Sequence, residues 1–238
     1  MEEKELKTSP KQRVAIILIA VIMLGSIIAS YAAIIMNGGG KASSSSTEGI
    51  SEEKVLEYEQ AYNAKLSEFK EATKSDFNKF VAYKSEVKAY NETSANQNGV
   101  ETRDLLKGSG SKIEEGDNDY LAYYIGWCAD ESVFDSSFDD PTNPTAFEKI
   151  LDASVGMIEG WNAGVIGMRR GGIREITMPG ELAYGDSMEI CGGYNKPLKF
   201  LVMAVAKEES LSTLAQELDT AYMKLQYAYY GIDYDAEM

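Results

Sequence analysis

The alternation of apolar and polar positions divides this chain into unlike stretches. Val14 to Met36 is an uninterrupted run of 23 residues without a charge. As a helix rising about 1.5 Å per residue it would reach about 34 Å, enough to cross a hydrocarbon core of about 30 Å. From Ser51 the pattern becomes amphipathic: Val55, Tyr62, Phe69, Tyr83 and Tyr90 fall at seven-residue steps, with Leu66, Phe80 and Val87 interleaved. Thr73 and Asp76 interrupt that stripe, so residues 51–92 predict one long helix or a pair divided near Ser75. A similar stripe of Leu211, Leu218 and Leu225, with Leu214 and Tyr222 between, predicts a helix over 208–231 that stops at Gly231.

Between the amphipathic segments, residues 99–207 alternate in strand fashion. Asp119–Tyr124, Ile173–Met178 and Leu198–Val205 read as strands, whereas Thr145–Ala153 and Asn162–Met168 look helical. The implied class is α+β, an antiparallel sheet with a short helix across one face. Residues 37–50 are a Gly/Ser spacer, and Asn91–Asn98 reads as a polar linker. The amphipathic stripes are expected either to pair into a helical base beneath the middle domain or to associate between copies as a homodimer.

Composition narrows the chemistry. The 238 residues carry a formal charge of -15 and contain no histidine. Residues 1–50 hold five basic and four acidic side chains, which leaves 18 basic against 34 acidic in the remainder. An acidic body repels phosphate backbones, so nucleic acid is not an expected partner. Without histidine there is no imidazole base, no His-metal site and no Ser-His-Asp triad. Cys128 and Cys191 alone cannot make a four-thiolate zinc site, and neither metal nor cofactor is expected.

The apolar run exceeds the roughly 7–15 residues of a cleaved signal, which makes residues 14–36 a transmembrane anchor. Lys4, Lys7, Lys11 and Arg13 precede it, and only Lys41 closely follows. The excess of basic residues before the span places residues 1–13 in the cytoplasm and the rest outside, in a single-pass cell-membrane protein. Outside the cytoplasm, Cys128 and Cys191 are expected either to pair, closing a loop of about 60 residues, or to stand as two unrelated thiols.

Three short clusters then set aromatic or large apolar side chains beside glycine or small polar residues: Val133–Phe138 (VFDSSF), Gly156–Trp161 (GMIEGW) and Glu181–Gly185 (ELAYG). With Tyr124-Ile125-Gly126 before them, their order and spacing resemble the FKBP-type peptidyl-prolyl cis-trans isomerases over roughly 110 residues. The resemblance implies an FKBP-like sheet and a pocket for proline. Trp161 would be its floor, and Tyr124, Phe134, Met157, Ile158 and Phe200 its walls, with Ala183 beside them. Tyr184 would donate to a carbonyl of the bound peptide, and Asp135 would sit at the rim near Tyr124. The implied substrates are proline-containing unfolded or exported polypeptides.

The chain departs from the family in two places. After Phe138, where relatives often carry a basic residue that pairs with the rim aspartate, this chain has Asp139-Asp140-Pro141, so Asp135 is expected to lack that partner. The flap Asp186–Pro197 (DSMEICGGYNKP) lacks the family's apolar Ile and Pro-Pro, and Ile190 and Tyr194 are the candidate lids. An altered flap admits an alternative, a non-catalytic chaperone or binding module that keeps the fold.

Overall fold

The computed structural model describes residues 50–237. Residues 1–49, which include the expected cytoplasmic segment 1–13, the expected anchor at 14–36 and nearly all of the expected spacer, lie outside the described residues, among which no helix is long and apolar enough to cross a membrane.

Helix α1 (Glu52–Lys84) is continuous for 33 residues, about 50 Å. The Ser51 side chain accepts from the Lys54 amide, and Glu52 and Glu53 lie in its positive first turn. No second cap forms at Ser75. Thr73, which interrupts the apolar stripe, is buried and donates its hydroxyl to the Phe69 carbonyl at 2.8 Å, so the helix carries it without exposing a polar group. The expected helix over 51–92 is shortened: α1 ends at Lys84, residues 85–91 are irregular, and the supposed linker holds a second short helix, α2 (Glu92–Gln97). Asn91 starts that helix by accepting from the Ser94 amide.

Strands β1 (Glu101–Leu106), β2 (Tyr120–Trp127), β3 (Val133–Ser136), β4 (Leu151–Asp152), β5 (Ile173–Met178) and β6 (Leu198–Ala206) form one antiparallel sheet. The spatial order is β1-β5-β6-β2-β3, with β4 also pairing β2. Thr145–Ala153, expected to be helical, is instead irregular chain leading into β4, followed by a 3-10 turn at Ala153–Val155. Helix α3 (Glu159–Val165) is the short helix on one face. Helix α4 (Glu209–Tyr229) follows β6. It ends with the Gly231 amide on the Ala228 carbonyl and the Ile232 amide on the Tyr227 carbonyl, the paired bonds of a Schellman stop. A last turn, α5 (Tyr234–Glu237), closes the described chain.

Period-two alternation in β2 sorts its side chains between two cores. Tyr120, Ala122 and Tyr124 pack beneath α3 with Trp161, Ile176 and Phe200. Leu121, Tyr123 and Ile125 face the other way, against Phe69 and Phe80 of α1 and Leu218 of α4. Helices α1 and α4 are antiparallel: Lys65 meets Glu217 at 2.8 Å, the Tyr62 and Tyr222 rings lie 5.8 Å apart, and the Tyr229 hydroxyl donates to Glu59 at 2.8 Å. The described residues thus form three layers: a short helix, the sheet, and an antiparallel pair of long helices.

The segment after α1 is strapped to the sheet by an ionic cluster around the buried Glu175–Lys199 pair. Glu175 of β5 receives Lys199 at 2.6 Å on one oxygen and Arg103 at 2.6 Å on the other. Lys199 also donates to the Lys88 carbonyl at 2.6 Å, and Arg103 to that of Glu86 at 2.7 Å. Burial works to raise the Glu175 carboxyl, but the bonds from Lys199 and Arg103 outweigh it and hold it below the usual carboxylate range.

Candidate functional site

Beneath α3 four aromatic rings meet mostly edge to face. Trp161 lies 5.8 Å from Tyr124 at 88° and 5.4 Å from Phe200 at 81°, and Phe134 meets Phe200 at 5.5 Å and 86°. Such T-shaped pairs place a positive ring edge against a negative face. Small residues permit this closeness. A Cβ on Gly160 would fall 2.6 Å from the Met178 sulfur, and one on Gly164 2.4 Å from Ile176 Cγ2, so α3 lies directly on the sheet and lowers Trp161 into it. The indole N–H donates to the Tyr120 hydroxyl at 3.0 Å, which satisfies the only polar atom of the floor from below. Trp161 is 1% exposed, so the mouth is lined by the half-buried Phe134, Met157, Ile158, Ala183 and Tyr184 rather than by the indole.

At the rim, Asp135 accepts the Tyr124 hydroxyl on Oδ2 and Lys149 Nζ at 2.7 Å on Oδ1. The expectation of an unpartnered Asp135 is therefore corrected: the cation comes fourteen residues downstream, from the chain entering β4, and not from the run after Phe138. Burial pushes the Tyr124 hydroxyl well above its ordinary pKa, and the charge on Asp135 pushes it further, so Tyr124 stays a proton donor. Tyr184 is raised in the same way, first by burial and then by Asp135. Among the described residues its hydroxyl has no hydrogen-bond partner, which leaves it available to a ligand.

The flap is fastened rather than loose. Cys128, just after β2, is disulfide-bonded to Cys191, and the pair is 63 positions apart in sequence. Ile190 and Gly193 exchange backbone bonds at 2.9 and 3.1 Å around a turn with Cys191 at φ 56° and Gly192 at φ 75°. At its far end Lys196 pairs with Glu92 of α2 at 2.7 Å, and the Tyr90 hydroxyl bonds the Pro197 carbonyl at 2.8 Å. The two candidate lids divide. Ile190 is buried in the core with Trp161 and Phe200, whereas Tyr194 is 56% exposed and outside that core.

Of the residues singled out from sequence, Tyr124, Phe134, Trp161, Met157, Ile158, Ala183, Tyr184, Phe200 and Ile190 share one apolar cluster; Asp135 joins it through Tyr124, and Cys191 packs against it. Lys149 and Tyr120 were missed. Tyr120 had a signal, being the second residue before Ala122 and the fourth before Tyr124 on the same strand face. Among the described residues no group of acidic or thiol side chains is arranged to hold a metal. A separate cleft of about 670 Å³ lies between residues 88–95 and strands β1 and β5, but Glu175 and Lys199 on its wall already pair with each other.

A family model described as FKBP-type peptidyl-prolyl cis-trans isomerase matches residues 110–205. An FK506-binding protein of Neisseria meningitidis serogroup B is 35% identical over 88 residues, which cover 37% of this chain and 75% of that protein. FK506-binding protein 15 of Homo sapiens is 32% identical over 110 residues, 46% of this chain and 8% of that protein. Among solved structures, the crystal structure of AtFKBP13 is 27% identical, covering 46% of this chain and 93% of that one with a TM-score of 0.36.

Proposed function

Because this chain belongs to the FKBP-type peptidyl-prolyl cis-trans isomerase family, and is an enzyme of that type, we propose that it assists the folding of exported, proline-containing polypeptides at the outer face of a membrane. The observation that carries the residue assignment is the apolar cluster whose floor N–H is already bonded to Tyr120, with Asp135 and the free Tyr184 hydroxyl at its rim. An X-Pro amide resists rotation with a barrier of about 18–20 kcal/mol and exchanges unaided over tens to hundreds of seconds. Rotation needs no nucleophile, base or metal; it needs a site that binds the twisted amide better than either planar form. Twisting ends conjugation and lessens charge separation, so an apolar surround penalises the planar state more. An acceleration of 10⁵ corresponds to about 7 kcal/mol of differential stabilisation.

In this reading the proline ring rests above Trp161 between Phe134, Met157, Ile158 and Phe200. Tyr184 donates to a peptide carbonyl, and Asp135, held by Tyr124 and Lys149, faces the carbonyl of the rotating bond. The excess of 34 acidic over 18 basic residues outside residues 1–50 favours neutral or basic clients. The chain enters the described part at Ile50, whose amide bonds the Gly231 carbonyl where α1 begins and α4 ends. With residues 14–36 in a membrane, the helix pair would stand between bilayer and pocket.

NMR exchange spectroscopy on Xaa-Pro peptides tests the assignment with the full chain in detergent. Trp161→Ala and Asp135→Ala should each lower kcat/KM by about tenfold or more; undiminished turnover in both ends it. A parent without turnover that still suppresses aggregation of an unfolded client would favour a non-catalytic chaperone. Protease added outside intact cells should digest residues 99–207, and protection until the membrane is opened would reverse the orientation.

A further inference from the structure

Three consecutive residues leading into β4 make three different attachments. Phe147 is fully buried and stacks on Tyr123, with ring centroids 3.8 Å apart and planes at 2°. Phe77 and Phe80 of α1 meet the same ring at 5.5 and 5.6 Å. Glu148 receives Lys70 of α1 at 2.5 Å, and its amide donates to the Ser137 carbonyl at 2.9 Å. Lys149 then reaches the rim, 2.7 Å from Asp135 Oδ1 and 5.9 Å from the centre of the Tyr124 ring. One ammonium thus touches both members of the Tyr124–Asp135 pair, by charge on one and over the ring face of the other.

We propose that helix α1, acting through Lys70, Phe147 and Glu148, positions Lys149 and so orients Asp135 and Tyr124 for isomerisation. The proposal rests on the reading that Asp135 and Tyr124 border the proline site. A lysine is a point charge on a flexible four-carbon stem, so it fixes a partner only if its own backbone is held. Here the backbone is held at the two preceding residues, at Phe147 by an aromatic stack and at Glu148 by an ion pair, and both holds come from or abut a helix outside the segment matched by the family model. Lys149, Glu148 and Lys70 are positioning residues. The appendage is then a working part of the site, and whatever shifts α1 shifts the rim.

The test uses the full chain in detergent, with exchange spectroscopy for turnover and amide resonances for geometry. Lys149→Gln should lower kcat about tenfold with little change in KM, and Lys149→Arg should keep most of the turnover. Lys70→Gln and Glu148→Gln should each lower kcat about threefold, and the exchanged pair Lys70→Glu with Glu148→Lys should recover it. In Lys70→Gln the amide resonances of Asp135 and Ser136 should move, which a helix that merely supports the fold would not cause. If Asp135→Asn impairs turnover but Lys149→Gln does not, and those resonances stay in place in Lys70→Gln, the relay is overturned and the site reading stands. If Asp135→Asn is itself silent, the site reading fails and takes the relay with it.

Discussion

At Gly126 the side chain is absent because two aromatic rings occupy its place: a Cβ there would lie 2.5 Å from Phe134 Cζ and 3.0 Å from Phe200 Cε1. Gly126→Ala should therefore cost about 1–3 kcal/mol, the usual result of overpacking a filled site. It should lower kcat/KM as well, because the rings it displaces are walls of the proposed proline pocket. Denaturant melts and exchange spectroscopy on one sample check both, and a variant matching the parent in each would mean that the rings move aside freely. The residue scale was also the most legible in sequence. Trp161, Tyr184, Phe134 and Asp135 sit in short phrases whose neighbours are a few positions away, so linear spacing carries them. Lys149 was not legible, because its distance from Asp135 depends on how the chain between β3 and β4 folds back.

Among the elements, the flap and the strap after α1 depend on different forces. The disulfide from Cys128 to Cys191 closes a long loop, and removing it as Cys128→Ser with Cys191→Ser should cost about 4 kcal/mol in the chain-entropy account. Hydrogen exchange should rise over residues 186–195, while Pro197 keeps its bond from Tyr90; unchanged stability and protection would mean that the noncovalent anchors suffice. The strap depends on Glu175. Glu175→Gln leaves Lys199, 5% exposed on its side chain, without a counter-charge and should destabilise by about 3–5 kcal/mol. Because the folded Glu175 is held below its unfolded pKa, its contribution is present above about pH 4.3 and is lost as pH falls through the folded value. The parent should thus lose stability on acidification more steeply than Glu175→Gln, and parallel pH profiles would remove Glu175 from that account.

For the whole molecule, the outer face of the sheet decides what counts as a domain. Leu121, Tyr123, Ile125, Ile173, Leu201 and Met203 are buried only because α1, α4 and the chain carrying Phe138 and Phe147 cover them. Burying a large apolar side chain contributes roughly 1.5–3 kcal/mol, so uncovering this set removes about as much as the 5–15 kcal/mol by which a domain is usually stable. Residues 99–207 alone should bind a hydrophobic dye and melt without cooperativity, whereas residues 50–238 should unfold in one transition. A folded, active fragment of 99–207 would show instead that the helices are dispensable.

Period alone determined much of this chain. Ile173–Met178 and the strand from Leu198 follow from alternation, the helix ending at Gly231 from a seven-residue stripe and a glycine that tolerates positive φ, and the resemblance of the middle segment from a few local phrases. These are short-range facts, set by backbone geometry within a few residues. Tertiary structure decided the rest: that α1 runs unbroken through Thr73, that it stops at Lys84, that Ile190 is buried and Tyr194 is not, and that Asp135 finds its cation in Lys149. Each of those outcomes depends on which surfaces meet, and burial and charge pairing act through space between residues that the chain keeps far apart.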